Sequence, residues 1–278
     1  MKLGVSFFSF EEDVGLDEAF EQVAKAGYSG VELVMGRTGE LTPDTPAQKL
    51  RDIRRRAESF GLSVISVGAN NVWEHNLASD DEEERRLACQ NIKRQIDAAG
   101  ELGADVALVV PGWVGTPFAQ GCVSYHCAYQ NSQKELIQLA PYAQRAGVSI
   151  AIENVWNKFL LSPIEMARFL DEINSPYVGA YFDIGNIIYI GYPEQWIRIL
   201  SHRIKRLQFC DCRAEQAGLG MFVDIFEGDV NFREVMRAVH DIGYDGWAVV
   251  EIFPRYRSFP YQAIINNKLS MDTILALE

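Results

Sequence analysis

Three acidic residues and one amide occupy matching positions at the ends of apolar runs in the sequence. Glu153 ends the run SIAIE, Asp183 ends GAYFD and Glu251 ends WAVVE, while Gln208 lies at the corresponding place in RLQF. A buried carboxylate without a partner costs several kcal/mol, and carboxylates that converge repel one another and bind protons. A divalent cation removes this repulsion and fixes the geometry. The pattern therefore predicts a metal enzyme whose site lies where parallel strands end.

Recurring helix-to-strand joints indicate the elements that carry these residues. Five segments end a helical stretch, pass through Gly and enter a β-rich run: KAGYSGVEL, SFGLSVISV, ELGADVALVV, RAGVSIAIE and DIGYDGWAVVE. Gly tolerates the left-handed conformation that follows a last helical turn. The β-rich runs are nearly all apolar, as expected for strands that are covered on both faces. Repeated units of this kind predict parallel strands joined by right-handed crossovers.

Counting the units predicts an α/β fold, a (β/α)8 TIM barrel that forms a single domain over residues 1–278. Strands are predicted near 3–8, 29–34, 62–68, 105–110, 148–152, 177–182, 204–210 and 246–251. Helices are predicted near 17–26, 46–60, 80–102, 129–146, 162–173, 193–200, 231–241 and 262–276. Eight units fit a barrel, which typically has about 250 residues. A doubly wound open sheet is the alternative, but no GxGxxG turn follows the first predicted strand.

In a barrel, all strands end at one face, so the four strand-end residues are predicted to share a metal site. Taken singly, each acid is better explained as a helix N-cap or a surface turn residue; Asp183 before Ile-Gly could form an Asx-turn. Four oxygen donors on four consecutive predicted strands favour the metal site. Glu153, Asp183, Gln208 and Glu251 are the predicted ligands. Their oxygens favour Mn²⁺ or Mg²⁺ over Zn²⁺, which prefers some nitrogen or sulfur.

Other polar and aromatic residues follow the predicted strand ends and are candidate substrate contacts. Asn side chains and the face of a Trp commonly hold polyhydroxylated ligands. The alternative for each is a loop residue that bonds its local backbone. The candidates are Asn70, His75, Trp113, Asn154, Lys158, Asn186 and Arg213.

Composition excludes several classes of partner. The chain of 278 residues carries a formal net charge of -12, whereas nucleic-acid-binding proteins concentrate Lys and Arg. The first residues lack the form of a signal peptide, and no run is long and apolar enough to cross a bilayer. Five cysteines suggest free thiols, and we interpret Cys210 and Cys212 as reduced structural thiols. A cytoplasmic protein is expected.

Several segments together resemble a known family. IENVWNKFLLSP, AYFDIGN, RLQFCD, EGDVNF and GYDGWAVVEIFP are similar to segments of the xylose-isomerase-like barrels, a group of sugar and sugar-phosphate isomerases and epimerases. Its members include L-ribulose-5-phosphate 3-epimerase, D-tagatose 3-epimerase, inosose isomerase and hydroxypyruvate isomerase. The family's ligands are Glu, Asp, His and Glu, and the resemblance places three of them at Glu153, Asp183 and Glu251. At the seventh strand the family's His and Lys are replaced by Gln208 and Cys210.

The resemblance implies proton transfer next to a carbonyl, through an enediolate that one divalent metal ion stabilises. Glu153 and Glu251 would act as acid and base on opposite sides of a carbohydrate substrate. Return of the proton to the opposite face gives epimerisation, whereas return to the neighbouring carbon gives aldose–ketose isomerisation; the residues serve both. Arg213 could contact a phosphate or carboxylate. Homodimers and homotetramers are common in the family.

Three alternative functions remain open from the sequence. The same barrel occurs in an apurinic endonuclease with three zinc ions, which needs many His ligands, and this chain has 4 His. A non-catalytic sugar-binding barrel would explain the replacements on the seventh strand. A dehydratase or lyase acting on an inositol-like ketone would use the same proton abstraction.

Overall fold

Eight parallel strands close into a barrel in the computed structural model, which describes residues 1–11, 13–216, 218–253 and 256–277. The barrel order is β1-β10-β7-β6-β5-β4-β3-β2, and β8 and β9 form a separate antiparallel ribbon. The strands are β1 (Lys2–Ser6), β2 (Gly30–Met35), β3 (Ser63–Ala69), β4 (Val106–Val109), β5 (Ser149–Glu153), β6 (Val178–Asp183), β7 (Ile204–Phe209), β8 (Asp211–Cys212), β9 (Phe222–Val223) and β10 (Trp247–Val250). The predicted TIM barrel is confirmed, and the doubly wound sheet is excluded.

Helices cover the outside of the barrel, and their apolar residues form the main core against the strands. They are α1 (Leu16–Ala26), α2 (Ala47–Ser59), α3 (Glu82–Leu102), α4 (Tyr125–Ala146), α5 (Pro163–Ile173), α6 (Pro193–Leu200), α7 (Phe232–Asp241) and α8 (Pro260–Leu275). In the described part of the chain, no helix combines the length and apolar character needed to span a membrane.

Local signals explain where the helices begin and end. Ser162 caps α5, since its side chain accepts a hydrogen bond from the Glu165 amide, and Pro163 takes the first helical position. Gly103 and Gly147 end α3 and α4 with φ angles of 79° and 68°. This left-handed backbone conformation is strained for residues with a Cβ atom. Gly therefore favours the end of each helix at this position, before the next strand begins.

A buried carboxylate lies inside the barrel, below the strand ends. Glu32 accepts hydrogen bonds from Ser6 Oγ at 2.7 Å, Ser66 Oγ at 2.7 Å and Tyr181 Oη at 2.6 Å. Burial raises the pKa of Glu32, and these hydrogen bonds oppose the rise. Since Tyr181 precedes Asp183 by two residues on β6, this network supports the floor of the site.

Removing one donor from this carboxylate is expected to destabilise the fold. Tyr181→Phe should lower the free energy of unfolding by about 1.5–3 kcal/mol, because the buried Glu32 loses a hydrogen bond. Tyr142→Phe is the matched control: its hydroxyl donates to Asp97 at 2.6 Å on the surface, so its loss should cost less than about 0.5 kcal/mol. Urea unfolding of both variants measures the difference, and equal effects would contradict a structural role for the buried network.

Candidate active site

The strand register brings the four predicted ligands to one rim of the barrel. They lie on β5, β6, β7 and directly after β10, which are neighbours in the barrel. Asp183 is paired with Gln208 across β6 and β7, and Glu153 is paired with Tyr181, one layer lower. The Glu251 amide donates to the Phe209 carbonyl at 3.1 Å, which continues the pairing of β10 with β7.

A cavity of about 260 Å³ opens at this rim, and we call it the carboxylate cavity. Glu153, Gln208 and Glu251 line it, together with the predicted substrate contacts Asn70 and Asn186. It lies at the carboxyl ends of the strands, where TIM-barrel enzymes have their active sites. The structure thus brings together acids from non-adjacent parts of the chain around a space that a small molecule can enter.

Aromatic side chains form much of the wall of the carboxylate cavity, and the sequence analysis did not identify them. Trp156 stacks on Phe222 with ring centroids 5.3 Å apart, and Phe222 meets Phe253 edge-on. Trp73 packs against Phe118 on another side. Such faces suit the C–H surfaces of a sugar and exclude water. The available signal was the presence of Trp156 and Trp73 within four residues of a strand end.

Asp183 is fully buried and held by its neighbours on both sides. The Asn154 side chain forms two hydrogen bonds with the Asp183 backbone. Its Nδ2 donates to the Asp183 carbonyl at 2.7 Å, and its Oδ1 accepts from the Asp183 amide at 2.8 Å. The carboxylate accepts from the Asn186 amide at 2.8 Å and from Cys210 Sγ at 3.2 Å. Burial raises the pKa of Asp183 to about 6, although these hydrogen bonds oppose the rise. Asn154 therefore positions the acid rather than contacting the carboxylate cavity.

Glu153 lies in an environment that disfavours its charge. Burial raises the pKa of Glu153 well above the usual range, and the nearby charges of Asp183, Glu251 and Glu32 raise it further. Asn186 Nδ2 offers only a long hydrogen bond, 3.5 Å from Glu153 Oε1. This carboxyl is suited to exchange a proton, and a positive charge nearby would favour its ionised form.

Gln208 has one oxygen that the described residues leave without a hydrogen bond. Its side chain is 1% exposed, and Nε2 donates to Glu251 Oε2, but Oε1 finds no donor in the described ranges. A buried acceptor left unsatisfied costs about 1–3 kcal/mol. A hard cation would satisfy this oxygen, as the sequence analysis predicts for Gln208.

The donor chemistry fits a divalent cation, but the side chains do not form a closed cage. Within residues 1–11, 13–216, 218–253 and 256–277, no three His, Cys, Asp or Glu side chains are arranged to hold a metal ion. Asp183 accepts from Cys210, and Glu251 accepts from Gln208. These hydrogen bonds use only part of the acceptor capacity of the two carboxylates, so they leave oxygen lone pairs for a cation.

Cys210 belongs to the site, which differs from the purely structural role expected from the sequence. Its thiol lines the carboxylate cavity and donates to Asp183. A hydrogen bond with Cys212 and burial raise the pKa of Cys210 well above the usual range, so the thiol stays protonated. Both cysteines are buried and neither forms a disulfide, in agreement with the expected free thiols.

The remaining predicted substrate contacts do not line the carboxylate cavity. Lys158 lines a neighbouring cavity. His75 Nδ1 lies 3.2 Å from Glu84 Oε2, and Trp113 is buried. Arg213 is exposed, and its Nε donates to the Glu227 carbonyl at 3.2 Å. The shape of the cavity gives no support to substrate-binding roles for His75, Trp113 and Arg213, so these roles stay predictions.

Comparison with known proteins identifies the family. The sequence profile described as xylose isomerase-like TIM barrel matches residues 20–271. The chain belongs to this family. The fold, the site at the strand ends and the resemblance seen in the sequence are therefore consistent with one another, and the predicted family is confirmed.

Curated relatives of this xylose isomerase-like barrel include sugar epimerases. The chain is 25% identical to fructoselysine 3-epimerase of Shigella flexneri, in a match that covers 94% of this chain and 93% of that protein. It is also 25% identical to inosose dehydratase of Geobacillus thermodenitrificans, in a match that covers 90% of this chain and 89% of that protein. The epimerase relatives confirm the predicted enzyme class, an isomerase or epimerase.

Solved structures agree with the fold. D-psicose 3-epimerase from Clostridium cellulolyticum superposes with a TM-score of 0.80 at 17% identity, covering 100% of this chain and 99% of that one. The IolI protein, solved with a zinc atom bound, superposes with a TM-score of 0.82 at 19% identity, covering 99% and 98%. At these identities the structures establish the shared barrel alone.

Proposed function

We propose that this xylose isomerase-like barrel is a divalent-metal-dependent ketose epimerase that moves a proton at the carbon next to a carbonyl. The observation that carries the proposal is the placement of Glu153 and Glu251 on one cavity, with Asp183 and the unsatisfied Gln208 Oε1 between them in barrel order. Fructoselysine 3-epimerase as a relative over nearly the whole chain supports epimerisation rather than aldose–ketose isomerisation.

The four predicted ligands would hold the cation: Glu153, Asp183, Gln208 and Glu251. When bound, a divalent cation polarises the carbonyl of the ketose and stabilises negative charge on its oxygens. Mn²⁺ or Mg²⁺ suits this set of oxygen donors better than Zn²⁺.

The proton transfer itself is assigned to the two glutamates. One carboxylate removes the proton from the carbon next to the carbonyl, and the other glutamate, in its acid form, returns a proton to the opposite face. In the metal-free protein, burial and the neighbouring acids raise the pKa of Glu153, and a bound cation would favour its ionised form, which is the form that removes a proton. Asn186 Nδ2 approaches Glu153, so it can hold this carboxyl or a substrate hydroxyl in place.

Dehydration of a cyclic ketone is the second candidate. Inosose dehydratase as a relative over 90% of this chain favours it. Dehydration begins with the same proton abstraction, but a neighbouring hydroxyl then leaves instead of a proton returning. The two candidates differ in product and not in the first step.

The test of the proposed function is exchange of protons with solvent. Protein loaded with Mn²⁺ and placed in D2O is expected to introduce deuterium next to the carbonyl of D-fructose, D-tagatose or fructoselysine, with formation of the epimer. Chelation with EDTA should abolish the exchange, and Mn²⁺ should restore it. Release of water from inosose without exchange into a ketose would establish the dehydratase instead, and no reaction with any of them would contradict both candidates.

A further inference from the structure

A second cavity, of about 370 Å³, lies beside the carboxylate cavity, and we call it the side cavity. Val155, Trp156 and Asn186 line both cavities. Asn154 also lines the side cavity, and it is the residue that brackets the Asp183 backbone. The side cavity is therefore adjacent to the candidate active site and shares part of its wall.

The walls of the side cavity are mostly apolar. Buried side chains form its inner part: Phe159, Leu160, Ile187 and Met221. Leu161, Tyr189 and Ile190 stand at its mouth with exposed fractions of 51%, 68% and 52%. An apolar ligand would remove these exposed apolar side chains from water. A cavity with such walls therefore favours an apolar ligand.

The loop between β5 and α5 gives the side cavity a fixed wall. Asn157 is buried, and its Nδ2 donates to the Gly112 carbonyl at 2.9 Å, which ties this loop to the loop after β4. Lys158 and Leu160 both adopt a φ angle of 53°, a conformation that costs non-Gly residues of order 1–3 kcal/mol. The buried side chains of Phe159 and Leu160 anchor the strained segment. The wall is thus organised before any ligand binds.

We propose that the side cavity binds an apolar substituent carried by the ketose, so that the substrate is a ketose joined to an aliphatic or aromatic group and not a free sugar. This inference rests on the proposed epimerase function. The shared Trp156 and Asn186 place the side cavity within reach of a group attached to a molecule in the carboxylate cavity. A second copy of the chain could also cover the exposed mouth, but it would not explain why the side cavity shares wall residues with the carboxylate cavity.

The test compares D-fructose with 1-deoxy-1-(hexylamino)-D-fructose and 6-O-hexyl-D-fructose, which place the same chain at either end of the sugar. One hexyl derivative is expected to have a kcat/KM for solvent deuterium exchange at least about tenfold above that of D-fructose, because its methylenes leave water. If neither hexyl derivative exceeds D-fructose, the proposal is wrong.

Two variants and a matched control locate the effect. Ile190→Asp and Leu161→Asp, from two different loops, should bring the ratio of kcat/KM between hexyl derivative and D-fructose close to one. Ile164→Asp, at a site 72% exposed on α5 and not part of the side cavity, should retain the wild-type ratio. If Ile190→Asp converts a dimer to a monomer in sedimentation and leaves the ratio unchanged, the mouth is an interface between copies and the proposal is wrong.

Binding measurements separate this inference from the proposed function. If no ketose exchanges deuterium, calorimetry with the same three sugars still decides the role of the side cavity. At least about tenfold tighter binding of a hexyl derivative supports the apolar subsite while the epimerase fails. Equal affinities overturn the subsite.

Discussion

A Glu153→Gln substitution is expected to lower the epimerisation kcat by about 10²–10⁴-fold, the usual contribution of a positioned acid or base. The change keeps the size of the side chain and removes its ability to take up a proton. Thermal unfolding should not shift to lower temperature, because the raised pKa of Glu153 favours its neutral form in the metal-free protein, and Gln is also neutral and of similar size. Turnover measured by NMR and unfolding measured by calorimetry on the same sample test both parts.

Glu251→Gln should lower turnover to a similar extent, and the pair of variants distinguishes the two roles. With one glutamate on each face of the substrate, each variant should block deuterium exchange beginning from one epimer and retain exchange from the other. Glu58→Gln, on the exposed surface of α2, is the control and should behave as wild type. Full activity in Glu153→Gln or in Glu251→Gln would argue against two separate proton carriers. So would an equal loss of deuterium exchange from the two epimers in each of these variants.

The fold could be predicted because the relevant signals are local. Gly at the end of a helix and an apolar run after it define each unit without knowledge of distant residues; the strand predicted near 177–182 is β6, Val178–Asp183. The right-handed connection then leaves few arrangements, and in a closed barrel the strand ends share one face. The position of Glu153, Asp183, Gln208 and Glu251 at one rim of the barrel follows from the order and direction of the strands.

The side-chain partners could not be predicted in the same way. Strand alternation says which face a residue occupies, but not which neighbour it contacts. Residues 208 and 210 lie two apart and therefore on one side, yet only the three-dimensional arrangement places the Cys210 thiol against Asp183. The β8–β9 ribbon consists of strands of two residues each, too short for any period, and it carries Arg213 to Glu227 outside the cavity. Loop conformation likewise determines that Trp156 becomes a wall.

The amide oxygen of Gln208 is expected to contribute to cation binding, so Gln208→Leu should weaken Mn²⁺ binding by at least the roughly 10–100-fold that loss of an outer-shell partner costs a metal site. The variant fills similar space but removes the buried oxygen that the described residues leave unsatisfied. In the metal-free protein, Gln208→Leu removes a stabilising hydrogen bond from Nε2 to Glu251, but it also removes the unsatisfied oxygen. Because these two effects oppose each other, the free energy of unfolding should change by less than about 1 kcal/mol.

Gln208→His is the matched variant, because it replaces the oxygen donor by a nitrogen. It should retain metal binding and shift the preference from Mn²⁺ towards Zn²⁺, since imidazole suits zinc better than an amide does. Calorimetric titration of metal-free wild type and both variants with each ion measures affinity directly, without reference to turnover. Wild-type Mn²⁺ affinity in Gln208→Leu would show that the cation, if bound, lies elsewhere. Weaker metal binding in Gln208→Leu together with retained metal binding in Gln208→His would show that residue 208 binds the cation through its donor atom, because both substitutions remove the amide.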